Sequence, residues 1–361
     1  MGVKGFYTIF KKKFSHAIQV KSRNDSFEVI AFDMNQWIHR RYHENPKILA
    51  EEAIEMIRST ARDNGAHTVL IVQDGACPFP KLRLQRERRQ KSKRYDITIG
   101  SEYMQIFENN LKEKLQTLPL VVYYSDSQVP GEGEHKITFL IKKLQLSNVL
   151  VVSIDADFLL LAILNKLKKI FVWRQCRYYS EIVDIDQVNI ENVTNFFINI
   201  CFLGNDFLPK ITTKLNWHFE NYVDEDDNFC VNKLCLGSTV NDASYAFVYY
   251  LQWCLDYYLD YQVSWIPDCE PPQRLKLNDL IKSSVTLPEI RKSSPDHIHS
   301  VEFQILSVLP ISKFPNYLKE YFITDEEYLN PEIINEFLSL LFTPCQSSRQ
   351  PVCLKIYRKK I

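Results

Sequence analysis

Thr68-Val-Leu-Ile-Val-Gln-Asp74 is a short apolar run, rich in β-branched residues, that ends in a carboxylate. A run of this length without polar alternation reads as a strand buried on both faces, the signature of a parallel sheet. Four further runs share the pattern: Phe27 to Asp33, Leu120 to Ser125, Val149 to Asp155 and Ile170 to Trp173. Between them, Ala50 to Arg62 and His135 to Leu146 place apolar residues at helical spacing. Strand and helix alternate in this way over about the first 210 residues. The expected fold is α/β, a mainly parallel sheet flanked by helices.

Past Pro209 the character changes. Asp224 to Asp227 reads as a solvated loop, and Ala243 to Tyr261 as a long aromatic-rich helix. Pro267, Pro271 and Pro272 mark a loop, Glu302 to Leu309 is apolar, and Pro331 opens a late helix to Leu341. The expected organisation is one domain over 1–215 and a smaller, mostly helical region over 240–361, packed on the first.

Three strand runs deliver a carboxylate at their C-terminal ends: Asp33, Asp74 and Asp155. Open parallel sheets bind ligands outside that edge, so acids distant in sequence can meet there. Asp157 lies two residues past Asp155, Glu132 and Glu134 follow the third run just before a helix, and Asp206 sits where a helical segment breaks. Any one of them can be a cap or turn acid. Seven at one edge would repel one another and raise each other's pKa unless a cation neutralised them. Hard oxygen ligands suit Mg²⁺ or Mn²⁺, and this number of carboxylates suffices for two ions, the equipment of phosphodiester hydrolysis.

Beyond Asp74 comes a turn and then Lys81 to Arg94, with eight basic residues against one acid. On a helix, Lys81, Gln85, Arg88 and Arg89 fall within about 100° of arc. That face offers three cations and an amide donor, a set able to hold a terminal phosphate; the alternative is a solvated basic helix.

Composition bounds the rest. The 361 residues carry 45% hydrophobic and 24% charged side chains, ordinary for a globular protein able to bury a core. Lys+Arg and Asp+Glu are 44 each, which excludes a uniformly basic coat but not a local basic patch. No stretch approaches the roughly 20 apolar residues of a membrane span. The first 13 residues contain no apolar run of signal-peptide length, and Phe6 breaks the myristoylation pattern that Gly2 invites. The nine cysteines form no C-x-x-C pair, so they read as reduced thiols in an intracellular protein. The cytoplasm is the expected compartment, with the nucleus as the alternative.

Taken in order, the motifs resemble the Xrn family of 5′→3′ exoribonucleases. The resemblance rests on Met1-Gly-Val-Lys-Gly-Phe6, Asp33-Met-Asn-Gln-Trp-Ile-His39, Asp74-Gly75 with the Lys81–Arg89 segment, Ser125-Asp-Ser-Gln-Val-Pro-Gly-Glu-Gly-Glu-His-Lys-Ile137, Asp155-Ala-Asp157 and Gly204-Asn-Asp-Phe-Leu-Pro209. It covers residues 1–210 strongly and 240–340 faintly, with a short interval between Arg94 and Ser125 and a reduced C-terminal part. The resemblance implies a fold like that of the PIN and flap nucleases. It implies that Asp33, Asp74, Glu132, Glu134, Asp155, Asp157 and Asp206 hold two Mg²⁺ or Mn²⁺ ions and carry the chemistry. It also implies that Lys81, Gln85, Arg88 and Arg89 bind a 5′-monophosphate and that His39 stacks on the terminal base. The expected enzyme is then a monomeric hydrolase that degrades single-stranded RNA to mononucleotides.

Two rivals are weighed against it. Flap-type DNA nucleases share the carboxylate site but use a glycine-rich hairpin after the last acids, and here Gly237 is the only glycine beyond Gly204. An inactive RNA-binding scaffold would show a lost acid or a broken basic face, and neither is seen. Trp253 and Trp265 are candidates for stacking on bases, although Trp253 lies in a pattern that reads as core.

Overall fold

The computed structural model describes residues 3, 5–22, 25–176, 179–211, 242–259, 272, 300–319 and 355–357. The strands are β1 (Ile18–Val20), β2 (Val29–Asp33), β3 (Thr68–Val72), β4 (Val121–Ser125), β5 (Val149–Val152), β6 (Ile170–Cys176), β7 (Tyr179–Asp184) and β8 (Lys355–Tyr357). The helices are α1 (Phe6–Lys13), α2 (Met34–Arg41), α3 (Pro46–Asp63), α4 (Phe79–Ser92), α5 (Glu102–Leu115), α6 (Gly133–Lys143), α7 (Asp157–Leu164), α8 (Val193–Cys201), α9 (Asp242–Leu259), α10 (Val301–Val308) and α11 (Asn316–Lys319). The chain divides into two compact units, one of Lys21–Ser153 with Ile298–Ile361, the other of Met1–Val20 with Ile154–His297.

In the first unit the strand order is β5-β2-β3-β4-β8. β5, β2, β3 and β4 run parallel, and β8 closes the β4 edge antiparallel. Every residue of β2 and β3 is buried, which is why these strands read as unbroken apolar runs. The register aligns Asp33 with Val72 and Val72 with Ser125, so the C-terminal ends of three strands finish level at one edge. The chain moves from β2 to β3 to β4 and then returns to the other side of β2 as β5. β2 is therefore the point where the strand order reverses, and the crevice outside its carboxyl end is where such sheets bind ligands. Asp33 stands there, closing β2 and capping α2, its Oδ1 accepting from the Asn35 N–H at 3.1 Å.

α10 packs on α4 through a cluster of Cys77, Leu82, Ile99, Val301, Ile305 and Leu306, among others. Gly100, at φ 79°, makes this contact possible, because a Cβ there would lie 2.3 Å from Val301 Cγ1 and 2.6 Å from Ile305 Cδ1.

In the second unit β6 and β7 form an antiparallel pair, and β1 adds to β7, also antiparallel. The fifth apolar run is thus longer than the sequence suggested and enters this ladder, with a partner, β7, that the reading did not contain. In Tyr179-Ser-Glu-Ile-Val-Asp184 polar and apolar residues mix, so that strand carries no continuous apolar signal. α7 is buried along its whole length. α9 is an aromatic-rich helix; Trp253 is 1% exposed and stacks on Tyr257 at 5.1 Å, so it belongs to the core and offers no surface to a base. Phe6, Phe10 and Phe14 of the N-terminal segment pack around Phe196. The expected loop at 224–227, the late helix at 331–341 and Trp265 lie outside the described residues. No helix among the described residues is long and apolar enough to cross a membrane.

Candidate active site

The edge of the first unit is built by two loops clasped backbone to backbone. The Gly75 N–H donates to the Gly131 carbonyl at 2.8 Å, and the Gly131 N–H returns to the Ala76 carbonyl at 2.7 Å. Gly75 is required for space: a Cβ there would lie 1.8 Å from the Val129 carbonyl oxygen. The clasp brings Asp74 to the start of α6, where its Oδ1 accepts from the Gly133 N–H at 2.7 Å. The Asn35 side chain accepts the Asp74 N–H at 3.0 Å, tying that loop to α2. Gly133 sits between two acids, since a Cβ on it would lie 2.9 Å from Asp33 Oδ1 and 3.3 Å from Asp74 Oδ1. Asp33, Asp74 and the start of the Glu132–Glu134 segment therefore lie together at this edge. The ligand atoms of Glu132, Glu134 and His135 also lie within 4.8 Å of one another.

The charge balance of this edge is unusual. Burial and the neighbouring Glu132 carboxylate push the Asp74 carboxyl above the usual range, against the pull of the Gly133 N–H, Lys136 and Lys81. Lys136 is 2% exposed, and its Nζ donates to the Gln73 carbonyl at 2.7 Å and the Asp126 carbonyl at 2.9 Å. Burial lowers its pKa to about 8, although Asp74 and Asp126 oppose the shift. Lys81, in the first turn of α4, forms an ion pair with Glu132 at 2.5 Å. Two buried lysines thus offset part of the negative charge. Convergent carboxylates with one pKa raised by its neighbour suit a hard divalent cation.

The basic helix is buried at its start and mostly half-buried beyond. Of α4, Lys81 and Leu82 are buried. Gln85 and Arg88 are half-buried along it. Arg89 donates from Nε to Thr98 Oγ1 at 3.0 Å and from Nη2 to the Ile97 carbonyl at 3.2 Å. Burial lowers its pKa to about 10, which leaves it cationic at neutral pH. His39, in the last turn of α2, feels Arg89, Arg94 and Arg88, and burial together with these cations lowers its pKa to about 4. It is therefore a neutral imidazole at neutral pH, with a flat face and no charge. All five residues expected at the phosphate and base sites belong to the first unit.

The histidine makes stability depend on pH. Unfolded His39 takes a proton near pH 6.5 and folded His39 only near 4. Between these values the unfolded state binds more protons, so stability falls as pH drops through the window. We expect the loss to be of the order of 1 kcal/mol after discounting for partial exposure. Relative to His39→Gln, the wild type should lose about 1 kcal/mol of unfolding free energy between pH 7 and pH 4, read from urea midpoints at each pH; parallel profiles would rule the shift out.

The remaining three acids belong to the second unit. Asp157 is buried, accepting the Val3 N–H on Oδ1 at 3.2 Å and the Tyr258 hydroxyl on Oδ2 at 3.3 Å. Asp155 Oδ1 accepts the Asp157 N–H at 3.3 Å. Asp206 sits in a tight turn held by Asn205, whose Oδ1 accepts the Phe207 and Leu208 N–H groups at 2.8 and 2.7 Å. Gly204, at φ 84°, permits this turn. Cys77, Cys201 and Cys254 are free and buried, and burial pushes these thiols up, so none of the three is a nucleophile.

Sequence reasoning gave no role to Lys136 or Gln304. Lys136 had a usable signal, since it lies one helical turn after Glu132 on the side facing the acids.

A parallel sheet with convergent acids at a strand-order reversal and a basic helix beside them defines a nuclease-type site. The family profile for the XRN 5′-3′ exonuclease N-terminus matches residues 1–116 and 94–176. The 5′-3′ exoribonuclease 1 of Saccharomyces cerevisiae is 25% identical over 296 residues, covering 58% of this chain and 19% of that protein. Residues 1–176 of the chain thus carry the XRN exonuclease N-terminal region. It spans about a fifth of the length of that curated relative. Among solved structures, the catalytic core of Rad2 in complex with a DNA substrate is similar over 77% of this chain and 92% of that one, at 14% identity and a TM-score of 0.48. The bacteriophage T5 D15 flap endonuclease, in a complex with DNA and metal ions, is similar over 58% and 80%, at 16% identity and a TM-score of 0.37. These are distant likenesses, and the fold assignment rests on strand order and register.

Proposed function

We propose that the chain is a metal-dependent 5′→3′ exoribonuclease that removes mononucleotides from single-stranded RNA bearing a 5′-monophosphate. The observation that carries this reading is the Lys81–Glu132 ion pair, which roots the basic helix directly in the acidic edge. A phosphate held by α4 then lies beside the carboxylates, so the bond presented for cleavage is the first one in.

In this reading Asp33, Asp74, Glu132 and Glu134, with Asp155, Asp157 and Asp206, are the ligands of two divalent cations, Mg²⁺ or Mn²⁺. Bound there, such ions would supply an activated water and offset the negative charge of the in-line transition state. The chain's own residues do the rest. Arg88 and Arg89 chelate the 5′-phosphate oxygens, Gln85 donates from its amide, and Lys81 supplies a point charge. Neutral His39 stacks on the first base. The 5′-end requirement follows from size, because a pocket closed around one phosphate excludes a cap or triphosphate. The sequential division at 1–215 and 240–361 is part of the same proposal.

The test is a degradation assay with Mg²⁺ on one RNA carrying a 5′-monophosphate, 5′-hydroxyl or 5′-triphosphate, beside DNA of the same sequence. The monophosphorylated RNA should be degraded to mononucleotides and the others spared. Arg88→Ala should reduce the preference for the phosphate about 10- to 100-fold, the worth of one charge-assisted contact, while some cleavage persists. Equal cleavage of all ends, or cleavage of DNA flaps, would replace this reading with a flap-type one; tight RNA binding without cleavage would replace it with a scaffold.

A further inference from the structure

Gln304 lies in the middle of α10, 219 residues from Gln85, and is fully buried in the apolar contact between α10 and α4. A polar side chain in such a place must be satisfied, and both ends of its amide are. Its Oε1 accepts the Cys77 N–H at 3.0 Å, and its Nε2 donates to Gln85 Oε1 at 3.0 Å. Gln85 Nε2 points onward, 3.5 Å from Cys77 Sγ.

The direction of this chain is forced. A backbone N–H only donates, so the oxygen of Gln304 must face Cys77. Its nitrogen must then face Gln85, which must answer with oxygen. The amide nitrogen of Gln85 is thereby turned to Cys77 Sγ, to which it donates one hydrogen at 3.5 Å. The second hydrogen on that nitrogen remains for a ligand on the α4 face, and a phosphate oxygen at neutral pH only accepts. Without the relay, the amide of Gln85 could present either end.

We propose that Gln304 is a positioning residue that sets the polarity of the 5′-end pocket, acting through Gln85. The inference rests on the phosphate-pocket reading given above and extends that pocket to a residue in α10. Packing alone asks for an apolar side chain of similar size at this position; the glutamine adds an acceptor for the buried Cys77 N–H and an orientation for Gln85.

The experiment compares binding of 5′-monophosphate and 5′-hydroxyl RNA to the full chain in EDTA, so that no cleavage occurs, and reads the ratio of the two Kd values. Gln304→Met keeps the volume and removes the relay. It should lower the ratio about threefold to tenfold. In a Gln85→Met background the same substitution should change nothing further, because the group it orients is gone. A merely structural role would weaken both RNAs alike and would persist in that background. Thermal melts report folding; should the Met variant not fold, Gln304→Glu keeps an acceptor for the Cys77 N–H, accepts from Gln85 when ionised, and should lower the ratio in the same way. A wild-type preference left intact by these variants would overturn the relay alone. A wild type with no 5′-end preference would overturn the pocket reading and the relay with it.

Discussion

Asp74→Asn is expected to reduce metal-dependent cleavage more than about 100-fold, beyond the loss that follows removal of an outer-shell partner of a metal site. The substitution is nearly isosteric. The amide oxygen it introduces can still accept the Gly133 N–H that Asp74 accepts at 2.7 Å, so the start of α6 should keep its place. What disappears is one negative charge from a crowded edge. Because burial and Glu132 raise the Asp74 pKa, the folded protein holds this charge at a cost. The sign follows from linkage: for an acid with a raised folded pKa, stability falls as pH rises from the unfolded-state pKa through the folded one. The metal-free variant should therefore melt higher than the metal-free wild type. Adding Mg²⁺ should raise the wild-type melting temperature and leave the variant nearly unmoved. A variant that retains both activity and the Mg²⁺ response would remove Asp74 from the site.

Gly75→Ala should be the most damaging methyl in the first unit. The added carbon would lie 1.8 Å from the Val129 carbonyl oxygen and 2.7 Å from its carbon. Both are backbone atoms of the partner loop, so no side chain can swing aside. Relief requires the loops to part, which breaks the Gly75–Gly131 and Gly131–Ala76 hydrogen bonds. Overpacking and two lost hydrogen bonds together should cost about 3–5 kcal/mol, a large part of a typical total stability of about 5–15 kcal/mol. Urea unfolding would show it as a lower midpoint, with activity lost in whatever remains folded. Gly133→Ala should be milder, because its nearest contact, 2.9 Å away, is the end of the Asp33 side chain.

The parallel strands were legible because burial on both faces leaves an unbroken apolar run, as in Thr68–Val72, and the acid after the run marks the open edge. The basic face of α4 was legible by simple angular spacing. The β6–β7 pair was not, because an antiparallel strand with mixed residues imitates a loop. The clasp between Gly75 and Gly131 left only glycines as its trace, and a glycine does not name the backbone it approaches. The Gln304 relay was the least legible. It joins residues 219 apart, and a buried glutamine in Glu302-Phe-Gln-Ile-Leu306 carries no periodic signal. Lys136 and Lys81 belong to the same lesson, since pattern counts the carboxylates of an edge but not the cations brought beneath them.

The Lys81–Glu132 pair has a thermodynamic corollary. In the resting edge the lysine is the counter-ion of the glutamate. On the reading proposed above, a divalent cation that took over Glu132 would release Lys81 to an anion on α4. Each ligand thus removes the competitor of the other, and by reciprocity the affinity gained by the anion equals that gained by the cation. Filling one half of the edge prepares the other half, with an exchange of partners in place of a change in shape.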